Sequence, residues 1–264
     1  MTALPVRSAA RHRFGRHSGI ALEMGSARTR VWLLGRGLIS DVPTVTFGTD
    51  TRCPVQRGTI IDPAGCARML ERLLGHRLPR FTAPHVVVTT PVLGGPAYRD
   101  AARAAVEVLR PRTVLTVPTA RAIALAAGAG RTRPLLVVDV GAHLSEVVLL
   151  ADTGVVDARR TALGTSDLDA TPPERVGDAV ADMVSAMLRQ DGGSLTADAL
   201  SRGVLLAGGG ALRPDITYHL TARLQTAVRV VPAPHTAAVR GAAQHLLAAR
   251  SRPRAADAAP PGPD

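Results

Sequence analysis

Residues 137–150 read VVDVGAHLSEVVLL. Two runs of β-branched and aliphatic residues flank a short turn that opens with an acid and a glycine, the pattern of a strand, a tight turn and a second strand. A loop of this kind leaves backbone N–H groups unencumbered, and such groups make an anion site. His143 stands inside the turn, where a phosphate cradle favours another glycine.

The same pattern occurs earlier in the chain. ALEMGSARTRVWLL (21–34) aligns with 137–150 without a gap, setting Glu23 on Asp139, Gly25 on Gly141, Thr29 on Ser145 and Val31 on Val147. At that offset HVVVTTP (85–91) falls on 201–207, each run leading into a Gly-rich turn, and the helix-like AGCARMLERLL (64–74) falls near VADMVSAMLRQ (180–190). One position further off, VLTVPTARAIALAA (114–127) matches VRVVPAPHTAAVRGAA (228–243). Four matches in one order at nearly one offset imply a duplicated unit of hairpin, helix, strand, helix, strand, helix. Mixed strands and helices in this order predict α/β sheets covered by helices, as two similar α/β domains facing a cleft. The expected limits are a basic arm over 1–18, a first core over 19–134 and a second over 135–235. A C-terminal helix over 236–249 is expected to return towards the first core, ahead of a disordered, Pro/Ala-rich tail over 250–264.

Composition narrows the function classes. The chain has 264 residues, 46% of them hydrophobic, which suits a folded protein with two cores. No apolar run reaches the length of a membrane helix, and the first residues lack the apolar centre of a signal peptide. The net charge of +11 suggests nucleic acid, yet every basic residue is arginine, the arginines are scattered, and aromatics for base stacking are 2% of the chain. Arginine without lysine or asparagine, beside abundant alanine, glycine and proline, is the codon bias of a GC-rich genome. Nucleic acid is therefore disfavoured as a partner. Cys53 and Cys66 have no metal-ligand or redox spacing.

Two acid–x–Gly hairpins and a later strand–GGG–helix segment resemble the superfamily of actins, sugar kinases and large heat-shock chaperones, and most of all the bacterial actins MreB and Mbl. VPTVTF (42–47), GTIIDP (58–63), VVVTTP (86–91) and LLAGGGALRPD (205–215) are similar to MreB segments in the same order. The resemblance covers roughly 19–248. It implies a duplicated actin-like (ribonuclease H-like) fold and ATP or ADP with Mg²⁺ as ligand. It also implies phosphate contacts from Gly25, Ser26, Ala27 and Arg28 and from Gly141, Ala142, His143 and Leu144. The adenosine-side loop falls on Gly208, Gly209, Gly210, Ala211 and Leu212. Glu23 and Asp139 are the implied magnesium acids, acting through water. The implied role is in the cytoskeleton, in cell shape or the cell wall, with other bacterial actins or cell-wall machinery as protein partners. The implied location is the cytoplasm at the inner membrane surface, with a weak contact of the arm's arginines on anionic lipid.

Departures from the family qualify the activity. Where MreB has three glycines and then threonines, this chain has Gly141, Ala142, His143 and Leu144. Glu23 replaces the usual aspartate, and Val117 precedes Pro118 where the family keeps an acid or amide that orients the attacking water. The chain also lacks the family's nucleotide-binding lysine, and both smaller insertion subdomains are missing. These departures predict weak nucleotide binding and slow or absent hydrolysis, a pseudo-ATPase. Two rivals stand beside that reading. One is a working Mg-ATP-hydrolysing actin that polymerises, with His143 or Arg28 supplying lost charge. The other is a basic module that binds nucleic acid or anionic membrane.

Overall fold

The computed structural model describes residues 19–46, 53–78, 83–130, 133–152, 154–170, 172–192 and 194–251. The arm expected over 1–18 and the tail beyond 251 lie outside them.

Two five-stranded sheets carry the fold. The first contains β1 (Gly19–Met24), β2 (Arg28–Leu33), β3 (Gly37–Pro43), β6 (His85–Thr90) and β7 (Thr113–Pro118), in the order β3-β2-β1-β6-β7. The second contains β8 (Leu135–Val140), β9 (Ser145–Ala151), β10 (Gly154–Thr161), β11 (Val204–Ala207) and β12 (Val228–Val230), in the order β10-β9-β8-β11-β12. The two orders are the same, so the duplication seen in the sequence is a duplication of topology. Between β3 and the first helix a small hairpin pairs β4 (Val55–Gln56) with β5 (Thr59–Ile60). The helices are α1 (Pro63–Leu74), α2 (Gly95–Val106), α3 (Thr119–Ala126), α4 (Pro173–Gln190), α5 (Leu195–Ser201), α6 (Pro214–Leu224) and α7 (Ala237–Ser251).

Local chemistry sets these boundaries. Asp62 caps α1 by accepting the Gly65 N–H at 2.7 Å, and Pro63 opens the helix where no N–H is needed. Pro173 and Pro214 start α4 and α6 in the same way. Strands β1 and β8 are buried along nearly their whole length, so they read as continuous apolar runs.

Three sequence expectations need correction. Each hairpin is in fact a three-stranded meander. Strands β3 and β10 are sheet edges, half exposed, and carry too little apolar alternation to be recognised. The match of 85–91 to 201–207 is out of register. Leu22 lies beside Val88, whereas its counterpart Val138 lies beside Leu206, so the pairing moves by two residues. Uniform aliphatic runs contain nothing that pins register. Helix α7 runs on to Ser251.

The halves exchange their closing helices. Ala120 and Ile123 of α3 pack on Val137, Val148 and Leu205 of the second sheet. Val239, Ala242, Ala243 and Leu246 of α7 pack on Ala21 and Val87 of the first. Trp32, read as core, is only half-buried at the margin of this cluster. Where α3 and α7 touch, Gly241 has no room for a side chain: a β-carbon there would lie 1.8 Å from the Ala122 carbonyl oxygen. Gly241→Ala is expected to cost about 1–3 kcal/mol in urea unfolding through overpacking. Gly192→Ala, at an open exposed position, should leave stability unchanged.

Candidate functional site

The two acid–x–Gly turns meet in a cleft of about 280 Å³. They are built alike. The Gly25 N–H donates to the Arg28 carbonyl at 3.0 Å, and the Gly141 N–H donates to the Leu144 carbonyl at 2.9 Å. Among the described residues the amides of Ser26, Ala27, Ala142 and His143 donate to no protein acceptor. These free donors lie on the lining of the cleft, which suits an anion.

All four residues expected from each turn line the cleft, as do Glu23, Asp139, Gly208 and Gly209. Gly210, Ala211 and Leu212 do not. Gly210 and Ala211 are buried, Gly210 against the Val140 side chain, and Leu212 faces outward at 57% exposure. Gly208 has φ of +85°, and a β-carbon there would lie 2.4 Å from Asp139 Oδ1, so this glycine is required by the close approach of β8. Ala142 and His143 were expected to narrow a glycine turn. Neither has a positive φ, so the backbone accepts both without strain.

The electrostatics rest on residues that the sequence reading did not single out. Register places Arg30 opposite Glu23 and Glu146 opposite Asp139. Arg30 is buried, bonds Glu23 Oε1 at 3.0 Å and pairs with Asp41 at 3.3 Å. Arg28 turns to Asp41 as well, at 2.5 Å, so its guanidinium is engaged there. Glu146 instead accepts the Val92 and Leu93 N–H groups at 3.2 and 3.3 Å, at the start of the 3-10 turn after β6. Burial pushes Glu23 up to about 7, with Arg30 opposing the shift and Asp139 adding to it. Burial likewise raises Asp139 to about 6 and Glu146 to about 7. Thr165 and Ser166 complete the wall beside the second turn.

Glu23 Oε2 is buried and has no hydrogen-bond partner. Together with the raised Asp139 carboxyl it fits a hydrated divalent cation. Among the described residues no group of three or more His, Cys, Asp or Glu side chains could hold a metal directly. Burial pushes the Cys66 thiol up to about 12, which makes it inert.

Two duplicated sheets with helices exchanged about a cleft define an actin-fold protein. The chain is similar to MreB5 of Spiroplasma citri bound to AMPPNP or to ADP, with TM-scores of 0.79 and 0.77, 14% identity, and coverage of 89% of this chain and 97% of that one. It is similar to MamK in a double helical filament, with a TM-score of 0.71, 15% identity, and coverage of 90% and 100%. The ethanolamine utilization protein EutJ from Carboxydothermus hydrogenoformans gives 0.62 at 14% identity, over 86% and 89%. The "MreB/Mbl protein" family profile matches residues 47–174 and 174–252. The chain belongs to the MreB/Mbl family. No curated protein matches it in sequence.

The buried acids give a pH dependence. Each folded-state pKa is raised, so the folded chain holds the proton more tightly than the unfolded one. The stabilisation is complete below about 4.5 for the glutamates and is lost as pH rises through about 7. Urea unfolding should weaken between pH 5 and pH 8, and Glu23→Gln should remove about 1–3 kcal/mol of that loss. A pH profile unchanged by the substitution would show that Glu23 is ionised throughout.

Proposed function

We propose that this chain is a divergent bacterial actin of the cytoskeleton, serving cell shape or the cell wall, that binds ATP or ADP weakly and hydrolyses it slowly or not at all. The observation that supports this reading most is the pairing of two turns with free amides beside the carboxylates of Glu23 and Asp139. Solved MreB5 relatives hold AMPPNP and ADP. In this chain the amides of residues 25–28 and 141–144 would meet phosphate oxygens, and Glu23 and Asp139 would order the water shell of Mg²⁺. The cation supplies the charge that phosphates need beside two acids. Weak binding follows from the sparse adenosine side, where Leu212 faces outward and no lysine exists. Slow hydrolysis follows from Val117, a buried aliphatic that cannot orient water.

Partners are proposed to be other copies of the chain, other bacterial actins or cell-wall machinery, since MamK was solved as a filament. Residence in the cytoplasm against the inner membrane belongs to the same proposal. No helix among the described residues is long and apolar enough to cross a membrane.

Calorimetry with ATP, with and without Mg²⁺, tests the reading. Expected is a Mg²⁺-dependent Kd of about 0.1–1 mM, lost in Asp139→Ala, with phosphate release at the blank rate. Micromolar binding with turnover would make the protein a working ATPase. No heat at millimolar ATP would remove the nucleotide from the proposal.

A further inference from the structure

The β4–β5 hairpin does more than fill the gap between β3 and α1. Its two-residue turn is Arg57–Gly58, with φ of +44° and +74°. Both angles are positive, as in the type I′ turn, where Asn-Gly is the favoured pair. Glycine suits its place. Arginine does not, because its β-carbon disfavours the left-handed region. A residue kept in a strained backbone state often has a task for its side chain.

That task is visible across the cleft. The Arg57 guanidinium donates to the Ala162 carbonyl and, at 3.0 Å, to Asp167 Oδ1 in the other half of the molecule. Asp167 also accepts the Gly164 N–H at 2.9 Å, which closes the 162–167 loop on itself. The loop in turn rests on the second acid–x–Gly turn: the Thr165 N–H bonds the Gly141 carbonyl at 3.0 Å, and the Ser166 N–H bonds the Ala142 carbonyl at 2.8 Å. The hairpin tip also touches that turn directly, since a β-carbon on Gly58 would lie 2.6 Å from Leu144 Cδ2. Leu144 is the apolar residue found where the family resemblance leads one to expect a hydroxyl. The hairpin stands where it leads one to expect a subdomain. The two departures fit one another physically, because an apolar side chain seats the hairpin and a hydroxyl would not.

We propose that Arg57 is a positioning residue of the cleft, which locks the hairpin on the 141–144 turn so that the phosphate end of a ligand enters and leaves only when the Arg57–Asp167 pair opens. This rests on the nucleotide reading above. The lock itself exists without ligand and is tested without it.

Arg57→Asn is the discriminating variant. Asparagine suits a left-handed turn better than arginine but cannot reach Asp167. If position 57 matters only for the turn, the variant should protect the region better. If it locks the cleft, hydrogen exchange at the bonded amides of Gly141, Thr165 and Ser166 should accelerate about tenfold, the scale of losing a charged hydrogen bond. Arg57→Lys, which keeps the charge, should lie between. Release of a fluorescent ATP analogue from the Mg²⁺ complex should accelerate by a similar factor in Arg57→Asn. Exchange that is unchanged or slower in Arg57→Asn overturns the lock. Faster exchange in a protein that binds no nucleotide upholds the lock as a contact and overturns its role at a nucleotide.

Discussion

Two short hydrogen bonds organise the cleft, Gly25 N–H to Arg28 and Gly141 N–H to Leu144. Each reverses the chain within four residues and so fixes the antiparallel register, Met24 with Thr29 and Val140 with Ser145. The amides inside the turn cannot reach a ladder partner and stay free. Alternation along the strand then decides which side chains accompany them. Met24 and Val140 enter the cores of the two halves. Glu23 and Asp139, one position earlier, take the other face and line the cleft. A carboxylate beside free amides is thus a consequence of turn length and strand parity. Duplication sets two such arrangements against each other.

The duplication is broken at one position, and the break controls the electrostatics. Opposite the first acid stands Arg30; opposite the second stands Glu146. An arginine and a glutamate at equivalent points leave one buried cation to face three buried acids, with Asp41 also drawing on it. Burying a charge is costly unless it is paired. Glu146 finds compensation in two amides of the opposite half, and Glu23 retains one oxygen with none. The acids therefore titrate near neutrality, and a bound cation would restore their ordinary ionisation. The same geometry ties the halves together, because the amides that satisfy Glu146 belong to the strand end of the first sheet.

Much of this was legible in the sequence because it is local. An acid, a glycine and two aliphatic runs specify a hairpin, and its repetition specifies the fold. The central strands β1, β8, β6 and β11 announce themselves by apolar runs. Edge strands β3 and β10 do not, since their burial comes from one side only. Arg30 was hidden among 32 basic residues, all arginine. One signal could have revealed both it and Glu146: once the turn is known, the residue seven positions after each acid is its cross-strand partner. In the Gly208–Leu212 segment the first two positions lie in the cleft and the last three do not. A 3-10 turn begins at Gly209 and carries the chain away from it, a change that composition cannot reveal. The strain at Arg57 is a dihedral angle, invisible until the backbone is known.

The departures from the family are coupled rather than a scatter of losses. Ala142 and His143 cost the backbone nothing, so their effect falls on the room left for a ligand. Leu144 gives up a hydroxyl and gains a contact with Gly58. Arg57 gives up an easy backbone and gains Ala162 and Asp167. In each exchange a contact that a ligand could have used is replaced by one between the halves of the protein. Such contacts hold the cleft shut whether or not anything is in it. A ligand shifts a conformational equilibrium only by its differential affinity for the two states, and a cleft already closed leaves little difference to exploit. On the nucleotide reading, the bound nucleotide has correspondingly little leverage over the shape of the molecule. Assembly with partners is then governed by surfaces and concentration more than by the state of the phosphate.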